Sequence, residues 1–240
     1  MDGRKQTGIV ACASIDDYEQ NVIKKHENTR AEKERDRIRH VDECGAQTGP
    51  IFLAYRNRPD IDGITQKVKQ TAPEYDFTAE DGVIHRVWII DDAADIDVIQ
   101  KSFAATDSIY IADGHHRAAS AVKVGFKRRD EHPDYTGDEE FNYFLSVLFP
   151  EQELSIMDYN RVVRDLNGRM PEEFLAEVGK KADCLKESDD IISPEKKGQF
   201  VVYLSERWYL FEFKDDVKND DPVGGLDVAL LQEHILKPLL

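Results

Sequence analysis

Short apolar runs alternate along the chain with segments of helical periodicity. Runs of about four to eight apolar or alternating residues between polar breaks are typical of strands. Such runs occur at residues 7–14, 50–55, 83–90, 108–112 and 142–149, and as a hairpin at 200–204 and 208–213. Segments with helical character occur at residues 16–23, 30–44, 60–70, 92–105, 114–126 and 226–236, and another helix begins at Pro171.

The order of these elements predicts an α+β fold with a mixed β-sheet and covering helices, because no sustained strand-helix-strand rhythm runs through the chain. Its 240 residues suit one large or two modest domains. We expect an α/β core over residues 1–150 and a smaller α+β portion over 151–240. The chain opens just before a strand and closes on the apolar run Ile235-Leu236-Lys237-Pro238-Leu239-Leu240, so we also expect a fragment of a longer protein.

Composition narrows the choice of partners. The net charge of −16 argues against nonspecific binding to duplex nucleic acid, which depends on Lys and Arg neutralising phosphates. No apolar run approaches the roughly 20 residues that cross a bilayer, so no membrane association is predicted. The three cysteines are odd in number and far apart, which favours a reducing, cytoplasmic location over a disulfide framework.

The strongest chemical signal is the run Asp113-Gly114-His115-His116-Arg117, between a predicted buried strand and a predicted helix. Gly114 permits a tight turn or the close approach of a ligand. The free N–H groups of the helix start form a phosphate seat, to which Arg117 can add a bidentate contact. We therefore predict an anion pocket. In the alternative interpretation, Asp113 caps the helix and the histidines satisfy buried neighbours.

A second cluster consists of His26 and Glu27 with Thr29, followed by Asp36-Arg37. A carboxylate at position 27 is a candidate general base if the fold brings it near a bound phosphate. From composition alone, Glu27 and Asp36-Arg37 are also compatible with exposed surface positions, and His40 with a structural or exposed one. No Walker-type glycine loop, dinucleotide fingerprint or kinase signature is present.

Together, several segments resemble the family known as domain of unknown function 1015 (DUF1015). The resemblance covers nearly the whole chain, and members of that family are longer at both ends. It is carried by Gln6-Thr7-Gly8-Ile9-Val10-Ala11, Lys25-His26-Glu27-Asn28-Thr29, Gly49-Pro50-Ile51-Phe52, Ile111-Ala112-Asp113-Gly114-His115-His116-Arg117 and Met157-Asp158-Tyr159-Asn160-Arg161.

More distantly, a His-Glu segment followed by a helix, a strand and Asp-Gly-His-His-Arg is similar to the ParB/sulfiredoxin-like fold, which includes the free serine kinases. The resemblance implies a ParB/sulfiredoxin-like core with insertions and a catalytic role for Glu27 as base toward a serine hydroxyl. It also implies that the Asp113–Arg117 run holds nucleotide phosphates and Mg²⁺. Asp113 and His115 are then catalytic, and the phosphate or nucleotide is held by Gly114, His116 and Arg117. His26 and Thr29 contact the substrate.

Three functions remain open at this point. The first is a phosphotransferase of serine metabolism that moves phosphate between a nucleotide and a serine-like or phosphoserine-like hydroxy amino acid. The second is a non-catalytic nucleotide-binding switch of the ParB-like type, which uses CTP or another nucleotide to control partner assembly. Whether the chain forms a homodimer is left open by the sequence. The third is a metal-dependent hydrolase, disfavoured because Cys or His partners at ligand spacing are missing, so no metal-ligand residues are assigned.

Overall fold

The computed structural model of this protein describes residues 3–27 and 31–240. The chain divides into two compact units, Met1–Ser155 and Ile156–Leu240. Each unit has its own cluster of buried apolar side chains. The two units are therefore described separately.

The first unit contains β-strands as well as helices. Its strands are β1 (Ile9–Ser14), β2 (Ile23–Lys24), β3 (Ile51–Tyr55), β4 (Tyr75–Thr78), β5 (Ile84–Val87), β6 (Ile109–Asp113) and β7 (Tyr143–Pro150). Its helices are α1 (Ile15–Glu19), α2 (Ala31–Cys44), α3 (Pro59–Val68), α4 (Ala93–Ala104) and α5 (His115–Glu131), with 3₁₀ turns at Glu140–Asn142 and Glu151–Glu153.

Five of these strands form a mixed sheet in the order β1-β7-β3-β6-β2. The pairs β1-β7 and β3-β6 are antiparallel, whereas β3-β7 and β2-β6 are parallel. Strands β4 and β5 form a separate antiparallel pair. The predicted α+β class with a mixed sheet and helices is thereby confirmed.

The core of this unit lies between the sheet and α5. Strand β7 alternates between half-buried and buried positions, as a strand with only one face in the core does. Helix α5 presents the small side chains Ala118, Ala121 and Val122 to the core. A Cβ at Gly125 would lie 2.4 Å from the carbonyl oxygen of Phe141, so only glycine fits there. This close packing fixes the position of α5 and therefore of its first residue.

The second unit is a three-stranded antiparallel sheet with flanking helices. Its strands β8 (Ala182–Ser188), β9 (Gln199–Leu204) and β10 (Arg207–Phe213) are arranged in the order β8-β10-β9. Helix α6 (Pro171–Val178) precedes the sheet. Helix α7 (Asp227–Leu231) continues through a π-helical turn at Gln232–Leu236 into α8 (Lys237–Leu239). The hairpin of β9 and β10 is confirmed, with Ser205 and Glu206 both at positive φ in its turn.

Some of the sequence predictions were wrong. Helix α5 extends to Glu131, although the predicted helix ended at residue 126. Both guanidinium groups in this last turn are held by other elements: Arg129 binds Asp16 through two hydrogen bonds of 2.7 Å, and Arg128 binds Asp42. Strands β2, β4 and β8 were not predicted, because β2 has two residues, β4 has four, and β8 carries mostly exposed and polar residues.

Candidate functional site

The junction between β6 and α5 carries the Asp-Gly-His-His-Arg run. Asp113 is the last residue of β6, Gly114 precedes the helix with φ at 96°, and His115 is the first residue of α5. The positive φ explains the glycine, since a side chain is strained in that region. Gly114 is the N-cap and no side chain caps the helix, so the alternative in which Asp113 caps α5 is wrong.

The first turn of α5 offers backbone N–H groups and no acidic side chains. The first N–H groups of a helix have no partner within it and carry the positive end of the helix dipole. Natural helices usually offset that charge with acidic side chains, but the first turn of α5 has none. Instead it carries His115, His116 and Arg117. An anion bound at this end would offset the charge and satisfy the free N–H groups.

The segment after β2 reaches the same end of the sheet. Strands β2 and β6 run parallel, with Ile23 opposite Ile109 and Lys24 opposite Tyr110. Their carboxyl ends therefore lie at one sheet edge, which brings His26 and Glu27 beside the start of α5. Three contacts to His115 follow. The His26 backbone N–H donates to Nε2 at 3.5 Å, the two imidazole rings lie edge to face at 4.3 Å, and Glu27 Oε2 lies 3.6 Å from Nδ1.

These contacts favour one tautomer of the neutral His115 ring. Because Nε2 accepts a hydrogen bond from a backbone N–H, it carries no proton, and the proton of the neutral ring is on Nδ1, facing Glu27. Burial lowers the pKa of His115 below its usual value, and the nearby His26 adds to that effect. Glu27 and Asp113 oppose it. His115 is therefore a neutral, buried contact that orients the Glu27 segment.

The carboxylate of Glu27 is free to reach a ligand. Its side chain is 62% exposed, whereas His115 is 5% exposed. One side of the carboxylate is thus near an imidazole N–H and the other faces solvent. This geometry suits a group that receives a proton from a bound hydroxyl. Thr29, the other predicted substrate contact, lies outside the described residues.

Arg117 folds back over the start of its own helix. Its Nη2 donates to Asp113 Oδ2 at 3.0 Å, with side chains 41% and 76% exposed. A Cβ at Gly114 would lie 3.0 Å from Nη2, so the missing side chain makes room for the guanidinium. Within the described ranges, Arg117 Nε and His116 Nδ1 are buried atoms without a hydrogen-bond partner. Two polar atoms beside the helix start therefore have unused bonding capacity.

On its other side Arg117 lines an open cleft between α2 and the segment before β3. Strand β3 runs antiparallel to β6, with Phe52 opposite Asp113, so its first residues lie at the same sheet edge. Arg117 Nη1 lies 3.8 Å from where a Cβ of Gly49 would be. The remaining polar lining is Arg37, His40, Gln47 and Thr48.

Sequence reasoning placed Arg37 near the second cluster without assigning it a role, and it missed His40 as a site residue. Both are exposed, which agrees with the surface positions that composition favoured, yet both line the cleft that Arg117 enters. Their spacing of three residues places them on neighbouring positions of one helix face. The Gly49-Pro50 break after this helix was the other available signal. Neither signal indicates a ligand until the fold brings Arg117 to the same place.

Neither a metal-binding cluster nor a membrane-spanning helix is found in the described part of the chain. There, no group of three or more His, Cys, Asp or Glu side chains is arranged to hold a metal ion. Of the helices in residues 3–27 and 31–240, none combines the length and apolarity needed to span a bilayer.

Comparison with known proteins gives a family. The chain belongs to the family described as protein of unknown function (DUF1015), whose model matches residues 1–229. Searches of the curated proteins and of the solved structures return no match. The family resemblance predicted from the sequence is thus confirmed, and function must be argued from the site.

Proposed function

We propose that this protein is a phosphotransferase that moves phosphate between a nucleotide and a small hydroxy amino acid such as serine or phosphoserine. The observation that carries the proposal is the contact of the His26-Glu27 segment with His115 at the start of α5. It puts a carboxylate base beside a helix end suited to phosphate. A ParB/sulfiredoxin-like core is part of the same proposal.

In this account Glu27 takes the proton from the substrate hydroxyl as that oxygen attacks the phosphorus of the donor. The bond from phosphorus to the leaving nucleotide oxygen breaks as the new bond forms. In the reverse direction, the carboxylic acid returns the proton to the departing hydroxyl. Phosphoryl transfer depends mainly on positioning the reactants and neutralising charge on the phosphate. Glu27 as base, with the first-turn N–H groups and the Arg117 guanidinium as donors, would meet both requirements.

The phosphate is held by the start of α5. The N–H groups of the first turn and the guanidinium of Arg117 offer donors to its oxygens, and Gly114 leaves room for that guanidinium beside the helix start. Among the described residues, His116 Nδ1 is buried and has no hydrogen-bond partner. No protein group there competes with a ligand for this atom. His115 positions Glu27 through the contact at 3.6 Å, and His26 lines the substrate side.

Mg²⁺ fits the chemistry of this site. It is commonly bound through one or two carboxylates together with substrate phosphates, and Asp113 offers an exposed carboxylate next to the phosphate seat. Bound there, Mg²⁺ would neutralise charge on the phosphates. Asp113 also holds Arg117 at 3.0 Å, so the same carboxylate keeps the guanidinium over the helix start.

Isothermal titration with ATP, ADP, AMP and CTP plus Mg²⁺, with and without L-serine or phosphoserine, tests the proposal. We expect saturable nucleotide binding that serine or phosphoserine strengthens, and about tenfold weaker binding for Arg117→Ala, because a charge-assisted contact is lost. Arg86→Ala is the matched control, since Arg86 forms a 3.0 Å ion pair with Asp76 on the β4-β5 hairpin, and its side chain is 50% exposed against 41% for Arg117.

Equal affinities for Arg117→Ala and Arg86→Ala would contradict the assigned phosphate seat. Nucleotide binding that changes the oligomeric state, with no phosphoryl transfer to serine, would instead identify the switch module. Far-ultraviolet circular dichroism of each variant separates a lost contact from a lost fold.

A further inference from the structure

The cleft beside Arg117 has the composition of a phosphate subsite. We infer that Arg37, His40, Thr48 and Arg117 bind a phosphate dianion, either of a phosphorylated amino acid or at the end of a nucleotide. This inference deepens the proposed function, on which it rests for the identity of its ligands. The subsite itself is argued from its geometry.

The cleft is lined by basic side chains although the chain as a whole is acidic. Asp and Glu number 48 and Lys and Arg 32, so a random surface depression should contain acidic side chains. The described lining nevertheless holds two arginines and a histidine and has no carboxylate. Asp113 reaches Arg117 from the helix side, which leaves Nη1 toward Gly49 and the cleft. A concentration of basic groups in so acidic a protein indicates an anionic ligand.

Ion pairs to α5 hold helix α2 in the position that places Arg37 and His40 at the cleft. Glu34 pairs with Lys123, and Asp42 pairs with Lys127 and Arg128, all three partners being on α5. The two cleft residues lie between these anchors along α2. The position of the helix is therefore set by ion pairs to the same helix that carries Arg117.

The opposite wall of the cleft, the segment before β3, is hydrogen-bonded to β7 through Gln47. The Gln47 side chain donates to the carbonyl oxygen of Tyr143 at 3.1 Å and accepts from the N–H of Leu145 at 2.6 Å, as a strand neighbour would. This fixes the segment that contains Thr48 and Gly49 against β7. Thr48 Oγ1 lies 3.4 Å from His40 Nε2, so the hydroxyl and the ring are adjacent in the cleft.

The number of donors favours phosphate over carboxylate. A phosphate monoester carries nearly two negative charges and three acceptor oxygens, whereas one guanidinium already matches a carboxylate in a bidentate pair. Arg37 on α2 and Arg117 on α5 both line the cleft, and Thr48 and His40 add further donors.

Titration of inorganic phosphate into the full chain tests the subsite. We expect Arg37→Gln to weaken phosphate binding about tenfold, since one charge-assisted contact is removed, and His40→Gln to weaken it less. Arg39→Gln is the matched control. Two residues along α2 from Arg37, it lies about 160° around the helix and forms an exposed pair with Glu43. Equal affinities for Arg37→Gln and Arg39→Gln, or no phosphate binding by the wild type, would overturn the inference.

The ring protons of His40, followed by NMR during the same titration, give a second measure. They should shift in the wild type and in Arg39→Gln, and an absence of any shift would contradict contact with phosphate. Parallel titrations with phosphoserine and ADP identify the source, because the bound ligand is the one whose affinity falls in Arg37→Gln. Phosphate binding that depends on Arg37 in a chain without transferase activity would support the subsite while refuting the proposed function.

Discussion

The carboxylate of Glu27 lies 3.6 Å from Nδ1 of His115, although the two residues belong to segments far apart in the sequence. Parallel pairing of β2 with β6 produces this relationship, because it carries both segments to one edge of the sheet. The buried ring thereby orients an exposed carboxylate. The proposed catalytic base and the proposed phosphate seat are joined at this one contact.

The first prediction concerns the pKa of His115, which burial lowers from its usual value. Glu27→Gln should lower the pKa further, since the Glu27 charge favours the imidazolium form. His26→Gln should raise it, because the neighbouring His26 disfavours that form. NMR titration of the His115 ring in the three proteins measures these shifts. A pKa unaffected by either substitution would contradict the assigned contacts.

The same shift predicts how stability depends on pH. The unfolded chain binds a proton at His115 near pH 6.5, whereas the folded chain binds it only at lower pH. Stability should therefore fall as the pH drops below about 6.5, because the unfolded state binds more protons there. In His115→Asn that component of the pH dependence disappears. Thermal melts between pH 5 and 8 compare the slopes, and parallel curves for the two proteins would contradict the prediction.

Substitution of Gly114 should affect both folding and binding. Gly114→Ala forces a side chain to adopt φ of 96° and places its Cβ 3.0 Å from Arg117 Nη2. We expect a loss of about 1 to 2 kcal/mol in unfolding free energy and weaker phosphate binding. Gly137→Ala is the control, since φ there is 106° and no atom lies within 4 Å of the added Cβ. It should lose similar stability and keep phosphate affinity, and equal binding losses would contradict a role for Gly114 at the site.

A pair of helical glycines tests the packing that places α5. Gly125→Ala should destabilise the protein by about 1 to 3 kcal/mol, because its Cβ would meet the Phe141 carbonyl oxygen at 2.4 Å and Ile15 at 2.8 Å. Gly63→Ala on α3 has open space around the added Cβ and should stabilise by about 0.5 to 1 kcal/mol. Urea unfolding of both variants measures the difference. A neutral Gly125→Ala would mean that α5 packs less closely on α1 and on the 3₁₀ turn that contains Phe141.

Much of the fold could be predicted from local pattern. The strand before Gly114 and the helix after it followed from an apolar run, a glycine and a small apolar face. The extension of α5 through Arg128 and Arg129 could not, because it depends on their ion pairs with Asp42 and Asp16 from distant segments. Strand β4 alternates apolar and polar residues, but it has only four residues and gives too short a pattern to recognise.

The candidate site, like the fold, could be predicted only where its signal is local in the sequence. The Asp113–Arg117 run could be recognised because its unusual chemistry lies within five consecutive residues. Arg37 and His40 carry no such signal, since charged residues on a polar helix are ordinary. Their contribution depends on α2 being anchored to α5, which is a tertiary relationship between Glu34, Asp42 and their cationic partners.

Phosphoryl transfer by wild type and Glu27→Gln is the most direct test of the central claim. The full chain is incubated with Mg²⁺, nucleotide and L-serine, or with phosphoserine and nucleoside diphosphate, and phosphoserine and nucleotide are followed by ³¹P NMR. We predict transfer by the wild type, a rate lower by about 10²- to 10⁴-fold in Glu27→Gln, and unchanged nucleotide affinity. Unchanged transfer in Glu27→Gln, or no transfer by the wild type in either direction, would contradict the account.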